Sequence, residues 1–238
     1  MRVLDFQETS QIVHMATAVH GLVAAIAKGA RRANGSFQGG LTLGVLGEAD
    51  LSPRRGAELE LLRSFRVTDG LRGLRADLDR FAAGEYVIGL LRDLMRPALP
   101  AEALFLAGVT ALKAISVAPP DSAASWVVWF EARALAASGH RLHLGSCVVC
   151  GEPVARDARL SPVAGGIVHG ACAPEGPSPR LSPGDRVALE RLYTARLPEL
   201  VAGPMTAAEV RAARSIHDLV LPYVLDREPA GLRSLPRP

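Results

Sequence analysis

The chain has 238 residues, 49% hydrophobic and 21% charged, with 27 basic residues against 24 acidic. That is enough apolar material for a packed core, which excludes a disordered polymer, and at about 150 residues per domain it sets one large domain or two to three small ones. Aromatics make up 5% and cysteines number 3, too few for a broad base-stacking platform or a disulfide-stapled secreted domain; the net charge of +3 permits phosphate binding without demanding it.

The first residues, Met1-Arg2-Val3-Leu4-Asp5, carry no charged-then-apolar signal pattern, so the expected compartment is the cytoplasm with reduced cysteines. Met1 to Phe6, Gln11 to Thr17 and Gly21 to Ala27 alternate as short strands, with His20-Gly21 where a hairpin turn falls. Asn34-Gly35-Ser36 is a further turn signal. Leu41 to Leu46 and Ala57 to Leu62 read as a fourth and a fifth strand. Five short strands with long loops suit a small barrel of the oligonucleotide/oligosaccharide-binding (OB) type, and equally other small β folds.

Between the third and fourth strands lies Ala27-Lys28-Gly29-Ala30-Arg31-Arg32. Lys28, Arg31 and Arg32 are three of the four basic residues before position 48. A glycine-punctuated basic turn leaving a strand can hold phosphates with guanidinium forks and backbone N–H groups, although a solvated turn has the same composition.

From about residue 71 the apolar period lengthens. Leu71, Leu74, Leu78 and Phe81 recur at threes and fours, and Tyr86, Ile88, Leu90, Leu91 and Leu94 continue a helix that ends near Arg96-Pro97. A further helix follows Pro100 from Ala101 to Val117, with Leu104, Phe105, Val109, Leu112 and Ile115 as its apolar stripe; Lys113 interrupts the apolar run, which is too short to span a membrane. The next helix starts after Asp121 or Ser122 and carries Trp126 and Trp129 as core-filling residues. Ser182-Pro183-Gly184-Asp185 starts another, and Thr206 with Glu209 forms a capping box for the last. That last helix is expected to turn Ile216, Leu219, Val220, Tyr223 and Val224 to one side.

Residues 145–178 are rich in Gly, Pro and Cys. Cys147-Val148-Val149-Cys150 is separated by 18 residues from His169-Gly170-Ala171-Cys172. Two such pairs match tetrahedral zinc spacing, with one imidazole replacing a thiolate, and four protein ligands leave no open position, so such a zinc is structural. Two other readings stand beside it: a redox Cys-x-x-Cys, and coincidence. The stretch from Gly151 to Val168 reads as poor in apolar residues, so a metal is expected to replace a core there and its removal to loosen residues 145–178. No phosphate loop, Gly-x-Ser-x-Gly elbow or His-Glu-x-x-His motif is present, and no enzyme is expected.

Taken together, these residues resemble the RecO family of bacterial DNA-repair and recombination-mediator proteins. The carrying segments are Val3-Leu4 through Glu8-Thr9-Ser10, Gly21-Leu22-Val23, Ala27 to Arg32, Ser36-Phe37-Gln38-Gly39-Gly40-Leu41, Arg55-Gly56-Ala57-Glu58-Leu59, and a cysteine knuckle after Leu135-Ala136-Ala137-Ser138-Gly139. The resemblance implies an α+β chain: an OB-fold barrel over residues 1–70, a helical domain over 71–144 and 179–226, a zinc-binding segment over 145–178, and a tail over 227–238. It implies a non-catalytic mediator in DNA repair and homologous recombination, cytoplasmic and nucleoid-associated. Such a protein binds single- and double-stranded DNA, anneals complementary strands, and works with RecR and the acidic C-terminal tail of single-stranded-DNA-binding protein to load RecA. No membrane and no small-molecule substrate is implied. Lys28, Arg31 and Arg32 correspond to DNA contacts, and Cys147, Cys150 and Cys172 to zinc positions, with His169 where many members have cysteine. The alternative from another class is a protein-interaction adaptor that docks an acidic peptide tail and touches DNA only incidentally.

Overall fold

The computed structural model describes residues 2–32, 37, 41–52, 59–119, 122–232 and 235. The expected Asn34-Gly35-Ser36 turn and the Ala57-Glu58 start of the expected fifth strand lie outside them. The chain divides into two compact units, residues 1–117 and 118–238.

The first unit holds a five-stranded sheet built from β1 (Arg2–Phe6), β2 (Ser10–Thr17), β3 (Gly21–Ala27), β4 (Leu46–Ser52) and β5 (Glu60–Asp69). The strand order is β1-β2-β3-β5-β4, with β3 and β5 parallel and the other pairs antiparallel. Alternation selects the core face: Val13 and Met15 of β2 stand opposite Ala25 and Val23 of β3, and all four are buried. Ala27, Phe37, Leu41 and Leu62 complete this core. At the hairpin, the Thr17 hydroxyl donates to the Gly21 carbonyl and accepts from the His20 N–H.

The strand order is that of a five-stranded Greek-key sheet, but the expected barrel does not close. Among the described residues no pairing joins β4 to β1. Within the sheet, β5 pairs with β3 only from Glu60 to Leu62, and beyond that point it continues beside β4. The fourth strand also lies later than expected. Leu41 to Val45 precede it as loop and turn, while the acidic Leu46-Gly47-Glu48-Ala49-Asp50-Leu51-Ser52 forms the strand. A half-exposed position next to β5 tolerates Glu48 and Asp50, so their charge hid the strand.

Leu71 and Leu74 are buried as their spacing predicts, but they sit at a 3₁₀ turn, Arg72–Arg75, and not in a helix. Helix α1 (Leu78–Leu94) starts only where the Asp77 side chain accepts from the Arg80 N–H at 2.8 Å. Helix α2 (Glu102–Val117) buries Leu104, Leu112 and Ile115 and packs on α1.

The second unit contains α3 (Ala123–Ala137), a hairpin of β6 (Ala158–Ser161) and β7 (Gly166–His169), α4 (Pro183–Thr194), α5 (Leu197–Ala202) and α6 (Ala207–Leu225). Helices α3, α4 and α6 pack together over Val128, Phe130, Leu135, Leu189, Leu192, Ala213 and Leu221. Trp129 fills core as expected. In α6 the buried face is Val210, Ala213, Ile216, His217, Val220 and Leu221, and Tyr223 is exposed instead of sharing it. Among the described residues no helix is long and apolar enough to cross a membrane.

Both predicted helix starts form reciprocal caps. Asp185 N–H donates to the Ser182 hydroxyl and Ser182 N–H to the Asp185 carboxylate, each at 3.1 Å. At α6, Thr206 N–H donates to Glu209 at 2.7 Å, and Arg191 from α4 donates to the same carboxylate at 2.7 Å. Partial burial opposes ionisation of Glu209, but the Thr206 N–H, the Arg191 guanidinium and the Thr206 hydroxyl outweigh it and hold the carboxyl below its ordinary range. A carboxyl lowered by folding stabilises the fold above its ordinary pKa, and that contribution disappears as pH falls through the lowered value. Glu209→Gln therefore flattens the acid limb of the pH–stability profile; a variant whose acid limb matches that of the parent chain contradicts the assignment.

One feature of this unit left no trace in periodicity. Glu131, in the middle of apolar α3, is fully buried and accepts from Arg214 at 2.6 Å and from His217 Nδ1 at 2.8 Å, both on α6. With Nδ1 donating, His217 Nε2 is the acceptor for the Tyr193 hydroxyl of α4, at 3.2 Å. Burial, and next the Glu131 charge, push the Tyr193 phenol above its ordinary range, which keeps it a neutral donor. The chain Tyr193–His217–Glu131–Arg214 thus ties the three helices together.

Candidate metal centre and basic turn

The knuckle begins where the chain leaves α3. His143 forms a parallel bridge to Gly166 of β7, and its carbonyl accepts from Ile167. Cys147 to Cys150 then reverse direction in a turn. Gly151 N–H donates to the Cys147 carbonyl at 2.8 Å and Cys147 N–H to the Glu152 carbonyl at 2.9 Å. Gly151 takes φ +81°, the left-handed region that a Cβ disfavours, so glycine ends the turn cheaply. The second ligand pair lies at the end of β7, where His169 is its last residue and Gly170–Cys172 form a 3₁₀ turn. A Cβ on Gly170 would stand 2.0 Å from the Asp157 carboxylate, so a larger residue at that position would displace the Asp157 side chain.

The ligand atoms of Cys147, Cys150, His169 and Cys172 all lie within 4.8 Å of one another. His169 Nδ1 is 3.4 Å from Cys150 Sγ and 4.0 Å from Cys172 Sγ. Metal–sulfur bonds of about 2.3 Å and metal–nitrogen bonds of about 2.0–2.1 Å at a tetrahedral centre require a sulfur–nitrogen edge of about 3.6 Å, between the two distances found. The tautomer agrees. His169 Nε2–H donates to the Pro153 carbonyl at 3.2 Å, so Nδ1 presents its lone pair to the sulfurs.

Electrostatics point the same way. Burial opposes ionisation of the Cys147 thiol, but N–H groups of Cys150, His169 and Val149, helped by the Cys150 thiol, outweigh it and bring it down to about 6. The Cys172 thiol is pushed up to about 11, by burial and then by Cys150 and Cys147 beside it. Three thiols this close cannot all ionise unless a cation joins them. The donor set and its spacing fit a structural metal with no free coordination position. No helix follows Cys150, unlike the arrangement expected of a redox pair.

One expectation is overturned. The segment does not lack a core: Val154, Leu160, Ile167 and Val168 are buried, together with Leu142, Leu144 and Leu181 at its ends. Apart from the adjacent Ile167 and Val168, these apolar residues are scattered among Gly, Pro and polar neighbours, so no period betrays them. A metal here adds to a small core and does not replace one.

Lys28, Arg31 and Arg32 occupy the exposed turn directly after β3, where Arg31 N–H donates to the Thr9 carbonyl at 3.0 Å. Arg31 also stands 3.4 Å from the Asp5 carboxylate, with both side chains largely in solvent, so that pair is weak. Arginines further along are engaged within the protein: Arg66 with Glu48, Arg80 with Asp77, and Arg63 with the Ser52 hydroxyl. Arg54 and Arg55 lie outside the described residues. No periodicity or motif exposed the role of Pro153, whose backbone carbonyl accepts from His169 Nε2.

Comparison with known proteins agrees with this architecture. Residues 1–71 match the family described as Recombination protein O N terminal, and residues 75–233 the one described as Recombination protein O C terminal. The chain is 36% identical over 237 residues to a DNA repair protein RecO of Anaeromyxobacter dehalogenans (strain 2CP-C), covering 99% of this chain and 92% of that one. A DNA repair protein RecO of Rhodopirellula baltica is 34% identical over 177 residues, 73% of this chain and 65% of that one, and that of Symbiobacterium thermophilum 29% identical over 238 residues, 98% and 92%. With matches that run from the open sheet through the cysteine knuckle to α6, the chain belongs to the RecO family of DNA-repair and recombination proteins.

Proposed function

We propose that this chain is a non-catalytic mediator that binds single- and double-stranded DNA, anneals complementary strands, and works with RecR and the acidic tail of single-stranded-DNA-binding protein to load RecA in the cytoplasm. Its family membership supports the repair role. The observation that carries the DNA reading is the exposed turn holding Lys28, Arg31 and Arg32 at the end of β3. Basic side chains there neutralise phosphates and lower the repulsion between two strands, and the duplex that forms supplies the driving force without nucleotide hydrolysis. The Cys147, Cys150, His169 and Cys172 cluster holds one structural zinc in this reading, which supports the knuckle and takes no part in strand pairing.

The experiment is the salt dependence of DNA binding. Arg31→Ala with Arg32→Ala removes two phosphate contacts, so the log–log slope of affinity against salt falls by about 1.4 on single strands and about 1.8 on duplex. Both residues are exposed, so the double variant stays folded. An unchanged slope moves the DNA site away from this turn.

A further inference from the structure

Arg186, in the first turn of α4, donates to three backbone carbonyls on the two sides of the cysteine knuckle. Its Nη1 donates to the Val154 carbonyl at 2.6 Å, and its Nη2 to the carbonyls of Leu144 at 3.2 Å and Gly145 at 3.4 Å. Its Nε donates to Glu190, one helical turn on, at 2.8 Å, which fixes the plane of the guanidinium. Leu144 and Gly145 lead into the cysteine knuckle and Val154 leads out of it. One rigid fork therefore grips both stems of the loop that carries Cys147 and Cys150.

The grip extends to the third ligand. Pro153, whose carbonyl accepts from His169 Nε2, directly precedes Val154. Holding the Val154 carbonyl fixes the chain beside that acceptor, and the acceptor fixes which nitrogen of His169 faces the sulfurs. We infer that Arg186 is the positioning residue of the metal centre: it touches no ligand, but it sets the separation of the knuckle stems and, through the Pro153 carbonyl, the orientation of His169. This rests on the zinc reading proposed above. The planar, multidentate guanidinium is what the geometry requires, since a lysine ammonium reaches one stem without bridging both.

The test uses the full chain, reduced and stripped of metal, titrated with zinc against a chromophoric chelator. Arg186→Gln should weaken zinc binding by about tenfold, the lower end of the loss seen when outer-shell partners are removed, and Arg186→Lys should fall between it and the parent chain. Arg191→Gln, on the same helix but bonded to Glu209 and the Gly203 carbonyl, should leave zinc affinity unchanged, which separates positioning from general damage to α4. Amide exchange of the metal-free Arg186→Gln variant should accelerate across residues 144–154 and not in α6. Parent-like zinc affinity in Arg186→Gln, or an equal loss in Arg191→Gln, overturns the positioning role while the zinc reading stands. A parent chain that binds no zinc overturns the zinc reading and this inference with it.

Discussion

Glu131→Ala destabilises the second unit by about 3 kcal/mol in urea denaturation, because the fully buried His217 loses the acceptor of its Nδ1–H while Arg214 keeps its ion pair with Asp218 at 3.0 Å. Glu131 and His217 are fully buried, and Arg214 is largely so. Without the carboxylate, Arg214 loses its 2.6 Å acceptor and the His217 Nδ1–H its 2.8 Å acceptor, in a site that water does not reach. The reference substitution is Glu48→Ala, which removes the exposed partner of Arg66 and should cost at most about 1 kcal/mol. Equal losses for the two variants would contradict the assignment of Glu131 as a buried hub.

Cys147→Ser abolishes stoichiometric metal, and the consequence is local. The expected pattern is faster amide exchange at residues 147–153 and 169–172, with β6, β7 and the helices protected as before. The reason is the core beside the knuckle: Leu160, Ile167 and Val168 are buried apolar side chains, and Val148 N–H donates to the Ile167 carbonyl at 3.0 Å. His169→Cys should retain the metal, since a thiolate suits zinc as imidazole does. DNA affinity should persist in Cys147→Ser, because Lys28, Arg31 and Arg32 belong to the other unit. Collapse of β6 and β7 on metal removal would show that the ion does replace the core.

What was legible in the chain was local. A capping box needs four consecutive residues: the Thr206–Glu209 box forms as its spacing predicts, and the predicted helix start at Ser182–Asp185 turns out to be capped by a second box. The cysteine and histidine pairs were legible for the same reason, each fixed by one tight turn, and their meeting follows from the β6–β7 hairpin that returns the chain. Strand β2 buries Val13 and Met15 in alternation, and β3 alternates from Gly21 to Ala25 before Ala25, Ile26 and Ala27 are buried in succession. The opposite held where pairing over distance decides. Strand β4 carries Glu48 and Asp50 on a half-exposed ribbon, and barrel closure depends on pairing between β1 and β4, which no sequence window contains. Glu131 and His217 are 86 residues apart, so no sequence window contains both. The grip of Arg186 on the knuckle is illegible for a further reason: its partners there are backbone carbonyls, which every residue has.

Strand pairing measures the central claim most directly. Complementary oligonucleotides are mixed with the metal-free and nucleotide-free protein at low salt, and duplex formation is followed over time. The account predicts acceleration by the parent chain and by Cys147→Ser, and its loss in the chain with Lys28, Arg31 and Arg32 all changed to Ala. The acceleration should also fade as salt rises, because phosphate neutralisation drives it. A parent chain that leaves the pairing rate unchanged while still binding an acidic tail peptide would contradict the annealing role and favour a protein-interaction adaptor.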